Sequence, residues 1–370
     1  MTLYIWIYVP AEGKYVIWDA IDYASSTIWV SRNREPGEFE VKIKASQYLR
    51  NVLFYRDTDV FVTRKDSRTA MVVERVRLES DTENGDYLTI SGRSAESILA
   101  RRIAVAFDSV KRQYLYTFSG YAEQLLRQLI TDNIISPDST QSWRGIPDFT
   151  LASAEGFTDR IEAQLLGENL LDVVQAVCSQ FGWGFRLEFD GGFTFSLYKG
   201  FDRSTAQNSR PFVIFSPAMQ NVAQIEWTLD KSPYKTVCYI GGEGEGAERK
   251  LALSGYPGQE GLTVREMWYD GSGISSKVED GTTMPDGDYR QLLRETAMTA
   301  LFENKRLFQM ETEAIPESGY AFGTDYDLGD IVTCRDSYGF SANCTVSEIR
   351  EVEDESGYRL IPVLSYEGAI

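Results

Sequence analysis

The run Asp59-Val60-Phe61-Val62-Thr63-Arg64 returns near the other end of the chain as Asp330-Ile331-Val332-Thr333-Cys334-Arg335. In both places a longer alternating run follows, Val73-Glu74-Arg75-Val76-Arg77-Leu78-Glu79 in one and Val346-Ser347-Glu348-Ile349-Arg350-Glu351-Val352 in the other. Each run ends in a polar turn and a returning strand, Tyr87–Ser91 or Tyr358–Leu364. Alternation with period two buries one face of a strand, so the recurrence predicts two related antiparallel β units in one polypeptide.

The remaining pattern fits around that repeat. Phe39, Val41 and Ile43 alternate with charged residues over Glu38–Lys44, and further strands are predicted at Ile28–Ser31, Asp59–Arg64, Met71–Glu79 and Tyr87–Ser91. Asn84-Gly85 marks the tight turn between the last two, and Arg93–Arg102 reads as a short helix. Residues 1–104 are thus expected to form a first small antiparallel β-barrel. Residues 105–210 are expected to form a mixed α+β domain. Ser119 would cap a helix burying Leu125, Leu126, Leu129 and Ile130, and a second helix would run from Glu168 to a stop at Gly182. A hairpin follows, Trp183–Phe189 and Phe193–Tyr198, across Asp190-Gly191-Gly192.

A second β-barrel is expected from residues 211–246 and 308–370. Its strands are placed at Phe212–Phe215, Ala223–Leu229, Thr236–Ile240, Phe308–Ile315, Asp330–Arg335, Ala342–Arg350 and Tyr358–Leu364. Residues 247–307 read as an inserted loop and helix, the helix at Asp288–Asn304. The fold class is mainly β with an α+β insertion.

Charge and chemistry narrow the function. Lys and Arg number 37 against 55 Asp and Glu, a net charge of -18, so the chain as a whole repels nucleic-acid phosphates and anionic lipid. The charge is uneven: Lys42–Arg112 holds 14 basic and 10 acidic residues, and Glu311–Ile370 holds 3 basic and 13 acidic. Opposite signs on related surfaces would favour lateral contact between the β units of neighbouring subunits, and they fit solvated faces of unequal charge equally well. There is no histidine, which excludes Ser-His-Asp and Cys-His catalysis and His-ligated zinc. Cys178, Cys238, Cys334 and Cys344 lack C-x-x-C spacing and read as small buried hydrophobes, with Cys334 and Cys344 within reach of each other across a hairpin.

Sharper sites each have a plainer reading. Glu226 beside Trp227 and Glu188 near Trp183 are the pairs best suited to face a sugar, and both also fit ordinary strand alternation. Ser232-Pro233-Tyr234-Lys235 has Ser-x-x-Lys spacing, but its proline breaks the helix that spacing needs. Asp325, Asp327 and Asp330 lack the twelve-residue pattern and closing Glu of a calcium loop. In Gly241–Gly246, Glu243 and Glu245 would repel phosphate, so a flexible loop at a domain edge or subunit contact is expected. No catalytic, cofactor-binding or metal residue is assigned. With 21 Tyr and 7 Trp, carbohydrate binding is the alternative function. Met1–Val9 lacks the basic flank of a signal peptide, and no stretch approaches the ~20 apolar residues of a membrane span.

Val73–Arg102 resembles the N-terminal barrel of the siphophage tail-hub family, which is similar in fold to the baseplate hub of contractile phages. Leu166–Phe185, Tyr234–Gly246 and Tyr326–Cys334 extend the resemblance over nearly the whole chain, and its specificity lies in their order. The resemblance implies a structural protein that is not an enzyme: a homotrimer whose two barrels per chain make a pseudo-hexameric ring between a six-fold tail tube and a three-fold tip. It implies as partners a distal tail or tail-tube protein, a tape-measure protein and tail-tip or fibre proteins, with DNA only in transit through a lumen whose acidity keeps phosphates from sticking. The implied location is the tail tip of the virion, after assembly in the host cytoplasm. Longer members carry peptidoglycan-cleaving regions after the hub, and none is expected in a chain stopping at Ile370. The alternative within this setting is a carbohydrate-binding or carboxylate-dependent glycan-hydrolysing tail-tip protein.

Overall fold

The computed structural model describes residues 2–54, 59–65, 67–83, 85–105, 116–165, 167–277, 282–315 and 319–366. Of the expected Asn84-Gly85 turn, Asn84 lies outside the described residues, and Gly85 has the positive φ of +85° such a turn requires. The chain divides into two units, Met1–Glu226 with Glu311–Glu367 and, separately, Trp227–Met310.

The first unit opens with β1 (Leu3–Val9), β2 (Lys14–Ile21), β3 (Ser26–Arg32) and β4 (Glu38–Lys44), then helix α1 (Gln47–Phe54), β5 (Val60–Arg64), β6 (Ala70–Asp81) and β7 (Gly85–Ser94). They lie in the sheet order β3-β4-β7-β6-β5-β1-β2. Along β4 the expected alternation holds, with Phe39, Val41 and Ile43 buried beside Leu88 and Ile90 of β7, Val60 and Val62 of β5 and Ile5 of β1. These strands surround one core. The pairings of the described residues run as an open path and do not close it into a barrel.

Residues Ala95–Arg101 form a 3-10 helix where a short helix is expected, and the mixed α+β region follows. It comprises β8 (Tyr116–Tyr121), α2 (Ala122–Ile130), β9 (Phe149–Leu151), β10 (Arg160–Leu165), α3 (Leu170–Phe181), β11 (Gly184–Phe189) and β12 (Phe193–Tyr198). β8 pairs with β10, and β12 lies between β11 and β9. Ser119 is not a helix cap. It sits within β8 opposite Glu162, and α2 starts after Tyr121 with no side-chain cap. Asn169 caps α3 by accepting from Leu171 N–H at 3.0 Å, and Gly182 ends it at φ +71°. Leu125, Leu129, Val174 and Phe195 share a core with Phe61 and Val72 of the first β region, so the two regions are packed as one body.

The chain continues through β13 (Ile214–Phe215) and leaves the first unit along β14 (Val222–Asp230). The second unit contains β15 (Val237–Gly241), β16 (Leu251–Gly255), β17 (Glu266–Asp270) and α4 (Asp286–Glu303). β15 lies between β16 and β17, and Tyr289, Leu293, Ala297 and Leu301 of α4 cover Cys238 and Ile240. The strand expected at Thr236–Ile240 in the second barrel therefore belongs to a separate three-stranded sheet. Its alternation is real, but alternation does not name the partner strand.

β18 (Leu307–Ala314) returns to the first unit, followed by β19 (Ile331–Arg335), β20 (Ser341–Asp354) and β21 (Gly357–Tyr366). Their sheet order is β14-β18-β21-β20-β19, strand for strand the order β3-β4-β7-β6-β5 of the first region. The repeat read in the sequence is thus a repeat of topology.

It extends to a local irregularity. The β6–β7 ladder is bulged between Val73 and Arg75, and the β20–β21 ladder between Val346 and Glu348, which are the aligned positions. Gly92 lies opposite the first bulge, where an added Cβ would come within 2.0 Å of Val72 O, so glycine is required there. The preceding strand corrects the sequence alignment by one residue. Phe61 lies opposite Val72, and Ile331 opposite Thr345, the counterpart of Val72. Phe61 therefore matches Ile331, and Val62 matches Val332, both fully buried. A one-residue slip exchanges the two faces of a strand, and the shared Asp and Arg at the ends of the two runs concealed it.

Candidate functional site

The two repeats are joined by strand pairing. The second half of β20 runs antiparallel to β3, from Glu348 opposite Arg32 to Glu353 opposite Thr27. Cations on the first repeat meet carboxylates on the second across this seam. Arg32 Nε lies 2.6 Å from Glu348 Oε2, and its Nη2 reaches Glu38 at 2.6 Å. Arg64 Nη1 lies 2.6 Å from Glu351 Oε2 and its guanidinium sits over the Trp29 ring, 4.9 Å from the centroid. The opposite charges read in the sequence are used inside one chain.

A cleft of about 450 Å³ opens beside the seam, lined by Arg32, Arg64, Glu96, Arg186, Glu188 and Glu351 among others. Arg186 Nη2 binds Asp327 Oδ1 at 2.8 Å and stacks on Tyr198 at 4.3 Å. Glu188 faces Arg68 at 3.6 Å. Glu96 accepts from Leu187 N–H at 2.9 Å, and withdrawal from water pushes its carboxyl above the usual range. Guanidinium groups thus answer Glu188, Asp327, Glu348 and Glu351, an arrangement suited to clamping elements together.

The sequence candidates fall into different places. Trp183 is fully buried and stacked on Phe157 at 4.5 Å, so it presents no face to a sugar beside Glu188. Glu226 is exposed on β14 with Trp227 half-buried after it. Ser232–Lys235 is irregular backbone, with Ser232 N–H donating to Asp230 and Tyr234 N–H to Lys231 O. Asp330 accepts from Phe201 N–H at 2.7 Å, Arg203 Nε at 2.7 Å and Asp327 N–H at 3.0 Å. Asp325 accepts from Ala321 N–H and Asp327 binds Arg186, so the three carboxylates serve three separate sets of donors. In the Gly241–Gly246 loop, Glu243 accepts from Ser276 N–H at 2.9 Å and its hydroxyl at 2.6 Å, which lowers the carboxyl's pKa. That loop is tied down rather than open to phosphate. Cys334 and Cys344 do meet across the β19–β20 hairpin, as buried free thiols. Among the described residues no helix is long and apolar enough to cross a membrane.

Sequence reasoning missed the Arg–Glu seam, because its partners are 316 and 287 positions apart. Only the uneven regional charge hinted at it.

The 43 kDa tail protein of prophage MuSo2 from Shewanella oneidensis has a similar structure, with a TM-score of 0.57 at 12% identity over 99% of both chains. A tail protein from Neisseria meningitidis MC58 matches with a TM-score of 0.56 at 12% identity, over 99% of this chain and 97% of the other. No curated protein matches the sequence. The model of the Siphovirus ReqiPepy6 Gp37-like protein family matches residues 2–364. The chain belongs to that siphovirus family and shares its fold with phage tail proteins.

Proposed function

We propose that this protein is a structural hub of a phage tail: a homotrimer whose six β repeats form a pseudo-hexameric ring joining a six-fold tail tube to a three-fold tip. The observation that carries the reading is the pair of five-stranded repeats with one strand order and one shared bulge, joined strand to strand within the chain. A six-fold tube needs six equivalent positions, and three copies of a two-repeat chain supply them. In this reading residues 1–104, together with 211–230 and 307–366, supply the ring, and the middle region packs beside it. The hub sits at the tail tip of the virion after assembly in the host cytoplasm, between a tube or distal tail protein with its tape-measure protein and the tip or fibre proteins. DNA passes through a lumen whose acidic groups repel phosphates.

Native mass spectrometry at low and moderate salt tests the assembly. A species of three chains is expected. A strict monomer, or an even-numbered oligomer, at every concentration overturns the ring.

A further inference from the structure

Resting on the ring reading, we infer that neighbouring copies join by antiparallel strand pairing, residues 75–80 of β6 in one copy against β14 of the next. The occupant of each edge is thus a second copy of this chain.

The seam inside the chain supplies the pattern. There the second half of β20, residues 348–353, pairs with β3. By strand order β14 is the counterpart of β3, and by the shared bulge residues 75–80 of β6 are the counterpart of residues 348–353. The seam uses one strand edge from each repeat, and both counterpart edges stand open. Among the described residues β5 covers only Ala70–Val72 on that side of β6, and β14 is the end strand of the sheet, paired with β18 alone. Open edges of this kind are templates for strand addition.

Burial supports the same assignment. Ile349, flanked by β3, is 1% exposed, while its counterpart Val76 is only half-buried although it packs on the first core. Leu78 lies opposite the fully buried Leu88 and is still 41% exposed. β3 buries Thr27, Trp29 and Val30, whereas β14 buries nothing beyond Val222. Each open edge has an apolar row on one face, Val76 and Leu78 on β6 and Ile225 and Leu229 on β14.

Charge is complementary with the signs exchanged. In the seam Arg32 of β3 meets Glu348 of β20. At the open edges the counterpart of Glu348 is Arg75, followed by Arg77, and β14 carries Glu226 on its polar face. Arg77 also contacts Glu79 of its own strand at 3.0 Å. The edge of β2 exposes Ile17 and Trp18, but no strand at its place takes part in the seam. A head-to-tail contact between unlike edges generates a closed ring when its rotation closes.

The test places one cysteine on each edge of the full chain, as Leu78→Cys with Ile225→Cys and as Val76→Cys with Ile225→Cys. The four native cysteines are buried, so oxidation reads the added pair. Expected is a covalent trimer on a non-reducing gel. In parallel, Arg75→Glu with Arg77→Glu should weaken the trimer about tenfold or more, and adding Glu226→Arg should restore it, which also excludes misfolding as the cause. A wild-type trimer that neither cross-links nor responds to the charge reversal overturns the strand assignment and leaves the ring reading standing. A wild-type chain that never forms a trimer overturns both.

Discussion

Arg64 and Glu351 meet 2.6 Å apart between the two repeats, with side chains only 16% and 12% exposed. Tyr358 donates to the same Glu351 oxygen at 2.7 Å. Removing one member leaves the other charge uncompensated in a partly desolvated place, so Glu351→Ala should cost about 3 kcal/mol in urea unfolding. Replacing both by Leu should recover most of that loss. A single-variant loss below about 0.5 kcal/mol, the range of a solvated pair, would mean the seam is not held there.

Glu96 carries a pH signature. Its carboxyl is pushed up by withdrawal from water, against hydrogen bonds from Ser94 and Leu187 that favour the charge. A folded-state value above the unfolded one means that ionised Glu96 costs stability at neutral pH. The cost disappears as pH falls through the folded value toward the unfolded value of about 4. Glu96→Gln keeps an acceptor for Leu187 N–H and should melt above the wild type at pH 7, with the gap closing in acid. A gap independent of pH between 7 and about 4 would rule out titration of this group.

Asp330 is 2% exposed and holds two backbone N–H groups and Arg203. Asp330→Ala should cost about 3 kcal/mol or more by stranding these donors, and Asp330→Asn less because one acceptor remains. With its oxygens committed to N–H donors, millimolar calcium should leave the melting temperature unchanged. A rise on adding calcium would show that the loop rearranges into a cation site.

Burial pushes the Cys178 thiol up to about 12 and raises Cys334 well above its ordinary value, and all four thiols are buried. A thiol reagent such as DTNB should titrate none of the four in native protein and all four in denaturant. Rapid reaction of even one native thiol would identify an opening of that part of the core.

The legible parts of the fold were those whose neighbours are uniform. β4 alternates because one face meets a core and the other meets water, and α3 announces itself by the helical spacing of its apolar residues and its stop at Gly182. β1 was illegible for the opposite reason. Leu3, Ile5 and Ile7 enter the first core while Trp6 and Tyr8 pack against the core of the middle region, so both faces are apolar and the period is lost. The hairpin repeat was readable through its length and polar turn, but the face of β5 was not, since shifting a run of Val and Thr by one leaves a similar string. Of the candidate site, the sequence carried only the sign of each region's charge. The pairing of Arg32 with Glu348 is a product of strand order, which no local pattern encodes.

Residues 231–306, the greater part of the second unit, are spliced into the hairpin between β14 and β18, while the counterpart between β3 and β4 is a short turn. Because β14 and β18 are sheet neighbours, the repeat receives this module without losing its strand order. In the ring proposed above only every second position would bear the module. The step from six-fold to three-fold symmetry would thus be written into a single turn, and deleting that module, with the strands rejoined by a short loop, should leave a ring more nearly alike at all six positions.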